Sequence, residues 1–177
     1  MPSSTPSGAR TTLADVLAVL DLAEAVGARL WIDGGWGVDA LLGRQTRVHG
    51  DLDVAVEVHH LDPLLASLHD CGYAVVGENG ATGSNFLTAC PRGAVVDLHV
   101  IVLDEQGKGV LGPPEAGNAY PADSLTGHGR LGGRQVDCIA ACWAVRFRDG
   151  YVGDADDRAD VHALSDRFGL TVPEQYR

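Results

Sequence analysis

One short segment constrains this chain more than any other. Asp51-Leu52-Asp53-Val54-Ala55-Val56-Glu57 alternates strictly, with Leu52, Val54 and Val56 on one side and Asp51, Asp53 and Ala55 on the other. A period of two marks a strand with one apolar face. Residues two apart share a face, so Asp51 and Asp53 project together, about 7 Å apart along the strand. Two carboxylates side by side on a core strand repel each other unless a cation sits between them. Mg²⁺ suits that place, because it is held by one or two carboxylates together with substrate phosphates. A solvated strand edge is the plainer alternative for so short a motif.

The flanking pattern predicts the fold class. Leu13, Val16, Leu17, Leu20 and Ala23 recur at helical spacing, behind Thr11 or Thr12 as N-cap and ahead of Gly27 as a stop. Residues 29–32 read as a short strand that runs into Asp33-Gly34-Gly35-Trp36, followed by a short helix over 38–42 closed by Gly43. A helix follows over 61–69, then strands over 73–76, 85–89 and 94–103. The Gly- and Pro-rich stretch 104–130 reads as a hairpin and an irregular loop. A last strand over 134–137 and helices over 139–148 and 157–168, stopped by Gly150 and Gly169, complete the chain. This order predicts an α+β (mixed α/β) domain with a helical tail. Residues 1–10 are expected to be disordered, 11–137 to form the main domain and 138–177 a C-terminal helical part.

Further residues sharpen the chemistry. Gly34-Gly35, between a strand and a helix, lets the backbone approach a phosphate at a helix N-terminus, unless it is an ordinary turn. Arg44, Arg47 and His49 precede the paired aspartates and are suited to a polyphosphate. Asp97 sits mid-strand between Val96 and Leu98, where an unpartnered carboxylate is costly. A third carboxylate beside the first two completes a metal cage, acts as a general base, or does both. His99, two residues on and on the same face, is the competing base.

Charge and composition exclude some partners. The 177 residues carry 13 basic and 24 acidic side chains, for a net charge of −11. Such a surface repels phosphate backbones, so no nucleic-acid partner is expected; it favours a cationic small substrate, or simply solubility. No apolar run is long enough to cross a membrane. Residues 1–12 have no apolar stretch, so no secretory signal is expected. Cys71, Cys90, Cys138 and Cys142 form no CxxC and read as reduced thiols of a cytoplasmic protein, with Cys138 and Cys142 on a buried helix. Trp31, Trp36 and Trp143 read as core.

Three blocks together resemble a known family. They are Leu30-Trp31-Ile32-Asp33-Gly34-Gly35-Trp36-Gly37-Val38-Asp39, then Gly43-Arg44-x-Thr46-Arg47-x-His49-x-Asp51-Leu52-Asp53, then Val96-Asp97-Leu98-His99. They resemble the small antibiotic nucleotidyltransferases, aminoglycoside 2''-adenylyltransferase-like and lincosamide nucleotidyltransferase-like, of the DNA polymerase β superfamily. Weaker matches at Asp137-Cys138-Ile139, Asp149-Gly150-Tyr151 and Asp157-x-x-Asp160-Val161 extend the resemblance over about residues 13–170. It implies a small mixed sheet flanked by helices, with a helical part closing the cleft. It also implies transfer of AMP from MgATP to a hydroxyl of an aminoglycoside or lincosamide, with release of pyrophosphate.

Carried over by position, Asp51, Asp53 and Asp97 would be the catalytic and metal-holding residues. Gly34, Gly35, Arg44, Arg47 and His49 would hold the nucleotide. Asp97 would take the hydroxyl proton, with His99 as its rival. Asp39, Asp156, Asp157 and Asp160 would rim the cleft for a cationic drug, or merely charge a helix start. Arg146-Phe147-Arg148 departs from the lincosamide branch, where a His often precedes the Gly-Tyr pair. A homodimer is common in that branch. Other acceptors in the superfamily are proteins, RNA or metabolites, and a non-catalytic nucleotide-binding module is the remaining alternative.

Overall fold

The computed structural model describes residues 8–79, 84–113, 117–150 and 152–177. Thr12 caps the first helix: its side chain accepts from the Asp15 backbone N–H, and the Asp15 carboxylate accepts from the Thr12 backbone N–H. Helix α1 (Leu13–Ala25) buries Val16, Val19, Leu20 and Ala23. Gly27, at φ +72°, turns the chain into strand β1 (Leu30–Ile32).

Helix α2 (Gly34–Leu42) begins at Gly34, not at the expected residue 38. Asp33 is the reason: its carboxylate accepts from the Gly34 N–H and its carbonyl from the Gly37 N–H. The cap and the burial of Trp36, Val38 and Ala40 outweigh the poor helix propensity of the glycines. Gly34 and Gly35 are therefore the first turn of a helix. Gly43, left-handed at φ +70°, closes it as expected.

Strand β2 (Leu52–Glu57) starts one residue after Asp51, and a short 3₁₀ turn leads to α3 (Leu61–Asp70). Strands β3 (Ala74–Asn79), β4 (Asn85–Ala89) and β5 (Val95–Leu103) follow. The stretch read as hairpin and loop also contains regular structure. Strands β6 (Gly109–Leu111), β7 (Ala119–Tyr120) and β8 (Gly127–Leu131) lie within it or at its end, and β8 pairs with β9 (Arg134–Cys138).

Helix α4 (Ala141–Arg148) starts later than expected, because Ile139 N–H still bonds the Ile32 carbonyl and carries on the β1–β9 pairing past the end of β9. It ends at Arg148 as expected, with Asp149 rather than Gly150 as its C-cap. Helix α5 (Ala155–Phe168) is capped by Asp154 and closed by Gly169 at φ +68°. Cys138 is buried on β9 and Cys142 exposed on α4, so the two do not share a buried helix.

The sheet order is β3-β4-β5-β2-β1-β9-β8, with β6 on β5 and β7 on β6. Pairing is mixed: β2 runs parallel to β5 and β1 parallel to β9, while β1 and β2 are antiparallel. Each face carries a core. Leu52, Val54 and Val56 of β2 and Val96, Leu98 and Val100 of β5 pack against α1 and α3. Ala55 and Ile101 face the other way, toward Val145 of α4 and Val161 and Leu164 of α5. The expected N-terminal disorder falls mainly on residues 1–7, outside the described residues. From Arg10 the chain is tied in: its N–H bonds the Gly93 carbonyl, and the Thr11 hydroxyl lies between the Gly50 and Val95 carbonyls. No helix among the described residues is long and apolar enough to cross a membrane.

Candidate active site

The parallel register of β2 and β5 places Asp53 directly beside Asp97. Both lie on the α4–α5 face, and the next residue on that side of β5 is His99. One ligand atom from each of Asp53, Asp97 and His99 lies within 4.8 Å of the others. His99 Nε2 is 3.6 Å from Asp97 Oδ2 and 4.0 Å from Asp53 Oδ1. Its Nδ1 is 2.6 Å from the Tyr120 hydroxyl, which donates to Asp33 Oδ2 at 2.9 Å. The tyrosine proton is committed to Asp33, so Nδ1–H donates to the tyrosine oxygen and Nε2 turns to the carboxylates.

The crowding of negative charge is visible in the acid–base properties. Burial pushes the Asp53 carboxyl up to about 7, helped by the neighbouring charges of Asp51, Asp33 and Asp97 and opposed by His99. Burial would lower His99, but the Asp97 contact and the charges of Asp53 and Asp33 carry it up to about 9. Burial and Asp33 lift Tyr120 well above the ordinary phenol range. A cluster of hard oxygen donors carrying this much negative charge fits a divalent cation. Asp51 stands just before β2 and lines the adjoining cleft.

That cleft, of about 320 Å³, lies between the start of α2 and the end of α4. Two side chains are missing from its floor, and polar groups pack in their place. A Cβ on Gly34 would overlap the Asp53 carboxylate, and one on Gly35 would overlap His49 and the Arg47 guanidinium. Backbone approach at the α2 N-terminus suits an anion. Of the expected nucleotide-binding residues, Gly34, Gly35, Arg47 and His49 line the cleft together with Asp51 and Asp53. Arg44 does not: it is exposed on the turn after α2 and absent from the lining. His49 is 2% exposed, with Nε2 2.5 Å from Asp39 Oδ2 and Nδ1 2.9 Å from Arg47 Nη1. Trp36 packs on the His49 ring at 4.6 Å, which makes it core.

The expected acidic rim divides. Asp157 lines the cleft and Asp156 is exposed. Asp39 and Asp160 are buried and are not a rim at all. Asp160 accepts from Arg47 Nη2 at 3.2 Å and from Arg148 Nη2 at 3.1 Å. Burial raises its carboxyl and the two arginines pull it back down, leaving it above the ordinary value.

A family model for aminoglycoside-2''-adenylyltransferase matches residues 15–164, which spans the sheet, the cleft and both final helices. The chain belongs to the aminoglycoside-2''-adenylyltransferase family. Membership makes it a nucleotidyltransferase. A lincosamide resistance protein of Staphylococcus haemolyticus is 29% identical over 150 residues, covering 85% of this chain and 92% of its own. A 2''-aminoglycoside nucleotidyltransferase of Escherichia coli is 38% identical over 60 residues, 34% of each protein. Among solved structures, the lincomycin-bound lincosamide antibiotic adenylyltransferase LnuA superposes with TM-score 0.77 at 28% identity, over 88% of this chain and 98% of LnuA. ANT(2'')-Ia in complex with adenylyl-2''-tobramycin shares the fold at TM-score 0.67 and 20% identity, over 89% of each chain.

Within this family framework the structure adds residues to those expected from sequence. Arg148 and Phe147, at the end of α4, line the cleft. Tyr120, from the stretch read as a loop, bridges His99 and Asp33 and meets Phe147 edge-on at 5.7 Å. A signal for Arg148 existed in Arg146-Phe147-Arg148, which reads in sequence as set apart from the lincosamide branch. Tyr120 had none, because no periodicity marks its two-residue strand. Tyr151, part of the weaker resemblance, lies outside the described residues.

Proposed function

We propose that this chain transfers AMP from MgATP to a hydroxyl of a lincosamide or aminoglycoside antibiotic. The observation that carries the proposal is the Asp53–Asp97 pairing across β2 and β5, with Asp51 and the Gly34-Gly35 floor beside it. Asp51, Asp53 and Asp97 would hold Mg²⁺, with His99 next to them. When bound, the ion neutralises charge on the phosphates and on the oxygens that attack and leave. The acceptor hydroxyl oxygen bonds the α-phosphorus, the bond from that phosphorus to the bridging oxygen breaks, and pyrophosphate leaves. The hydroxyl proton goes to Asp97. His99 orients that carboxylate and is itself held through Tyr120 to Asp33. Arg47, Arg148 and the α2 N-terminus bind the triphosphate, so catalysis is chiefly positioning and charge stabilisation. Residues 11–137 supply the metal-holding groups and most of the nucleotide contacts, and 138–177 close the cleft and add Arg148. We place the protein in the cytoplasm and assign it no nucleic-acid partner.

The lincosamide branch is favoured because that relative matches nearly end to end, whereas the aminoglycoside relative matches over a third of its length. A polycationic aminoglycoside is the second reading, supported by Asp33, Asp51 and Asp157 on the cleft and the net charge of −11. The test is pyrophosphate release with MgATP over a panel of both drug classes, with Asp51→Ala as blank. Release with lincosamides alone supports the first reading and release with aminoglycosides alone the second. Release with neither, ATP still binding, removes antibiotics as acceptors.

A further inference from the structure

Two buried carboxylates have no direct part in the proposed chemistry. Asp39 is 0% and Asp160 3% exposed, yet both lie immediately behind the cleft. A single oxygen of Asp160, Oδ2, accepts from Arg47 Nη2 at 3.2 Å and from Arg148 Nη2 at 3.1 Å. Two guanidiniums repel, and one buried carboxylate oxygen between them holds them side by side.

Arg47 is also held from its other side. Its Nη1 donates to His49 Nδ1 at 2.9 Å. A guanidinium can only donate, so Nδ1 is the acceptor and the ring proton sits on Nε2. Nε2–H then donates to Asp39 Oδ2 at 2.5 Å. The other oxygen of Asp39 accepts from the Thr46 N–H at 2.9 Å and the Thr46 hydroxyl at 2.6 Å, which fixes the turn that carries Arg47. Arg148 is held further by Asp157 Oδ1, 3.3 Å from its Nε, and by the Ala144 carbonyl. Asp156 Oδ2 lies 3.6 Å from Arg47 Nη1. Arg47 Nε meets no hydrogen-bond partner among the described residues.

We propose that Asp160, and Asp39 acting through His49, are positioning residues that fix Arg47 and Arg148 as a paired clamp for the nucleotide triphosphate. This rests on the reading of the cleft as the nucleotide site. His49 thereby supports Arg47 from behind, with both ring nitrogens already engaged. The clamp adjoins Gly35, whose missing side chain lets the Arg47 guanidinium and the His49 ring pack against the first turn of α2, and Gly35, Arg47 and Arg148 line one cleft. Paired planar donors suit a polyphosphate better than one point charge does. The acid that holds the arginines also competes for them, so the test must separate positioning from sequestration.

The experiment is calorimetric titration with the Mg²⁺ complex of α,β-methylene-ATP, and separately with AMP, using wild type, Asp160→Asn, Arg47→Ala and the double variant. Positioning predicts that Asp160→Asn weakens the triphosphate analogue about tenfold or more. AMP affinity stays at the wild-type value, and the effect on the analogue shrinks in the Arg47→Ala background, where only Arg148 is left for Asp160 to position. Wild-type or tighter affinity of folded Asp160→Asn for the analogue, where Arg47→Ala weakens it, overturns the proposal; tighter binding means that Asp160 sequesters the arginines. Equal weakening for AMP and the analogue also overturns it, as a general structural effect. If Arg47→Ala itself leaves the analogue's affinity untouched, the reading of the cleft has failed. Should Asp160→Asn not fold, His49→Phe decides the matter, since it keeps a flat ring but removes the other hold on Arg47. The same triphosphate-selective loss is expected, and wild-type affinity contradicts the proposal.

Discussion

Gly34 sits at φ +59°, and a side chain there would overlap the Asp53 carboxylate. Both facts act at one residue, so Gly34→Ala is expected to nearly abolish transfer. Backbone strain alone costs about 1–2 kcal/mol of stability, and displacement of Asp53 removes a metal-holding group. Steady-state kinetics and urea denaturation check this; unchanged activity would remove Gly34 from the site. The acid–base shifts make a second prediction, for the metal-free protein. His99 rises from 6.5 to about 9, so its contribution is fully present below 6.5 and is lost as pH rises through 9. Asp53 rises from 3.8 to about 7, so the folded state holds its proton longer than the unfolded chain does and stability falls as pH climbs through that range. Both signs agree. Thermal melts in EDTA should show Tm falling from pH 6.5 to 9, and Mg²⁺ should give its larger stabilisation at the alkaline end, where it no longer competes with protons. A Tm that rises with pH in EDTA would contradict these assignments.

Among the elements, α2 is held from two sides. Its N-terminus meets Asp53, and a Cβ on Gly129 of β8 would overlap the backbone of Ala40. Gly129→Ala is therefore expected to push β8 away from α2 and cost about 1–3 kcal/mol, read as a lower urea midpoint. An unchanged midpoint would mean that the contact is soft. The same pair of elements explains what could be read from the chain in advance. Strand β2 was legible because Leu52, Val54 and Val56 alternate with Asp53, Ala55 and Glu57, and the site followed because Asp53 falls on the opposite face. Strand β8 was not legible, since its inward positions include Gly127 and Gly129, which pack by backbone and leave no apolar alternation. The start of α2 was misplaced because a glycine pair suggests a turn, whereas the Asp33 cap decides for a helix. Asp39 and Asp160 looked like surface acids in sequence. Only tertiary packing shows them buried against His49 and the two arginines.

At the scale of the whole molecule, the carboxylates project from the sheet face that α4 and α5 cover, and Arg148 comes from the end of α4. Ligand that bridges these parts should raise stability by mass action. The Mg²⁺ complex of α,β-methylene-ATP at about 100 times its Kd is expected to add about 2.7 kcal/mol, seen as a higher Tm that EDTA abolishes. No shift in Tm would mean that the folded chain does not bind the nucleotide. The central claim is that the Asp53–Asp97 site moves a nucleotidyl group, and label transfer tests it most directly. ATP labelled separately at the α- and γ-phosphates is incubated with Mg²⁺, lincomycin or an aminoglycoside, and wild-type or Asp97→Asn protein. The account predicts that the α-label moves to the drug with the wild type, that the γ-label leaves as pyrophosphate, and that Asp97→Asn transfers almost nothing. Transfer of the γ-label to the drug, or full transfer of the α-label by Asp97→Asn, would contradict it.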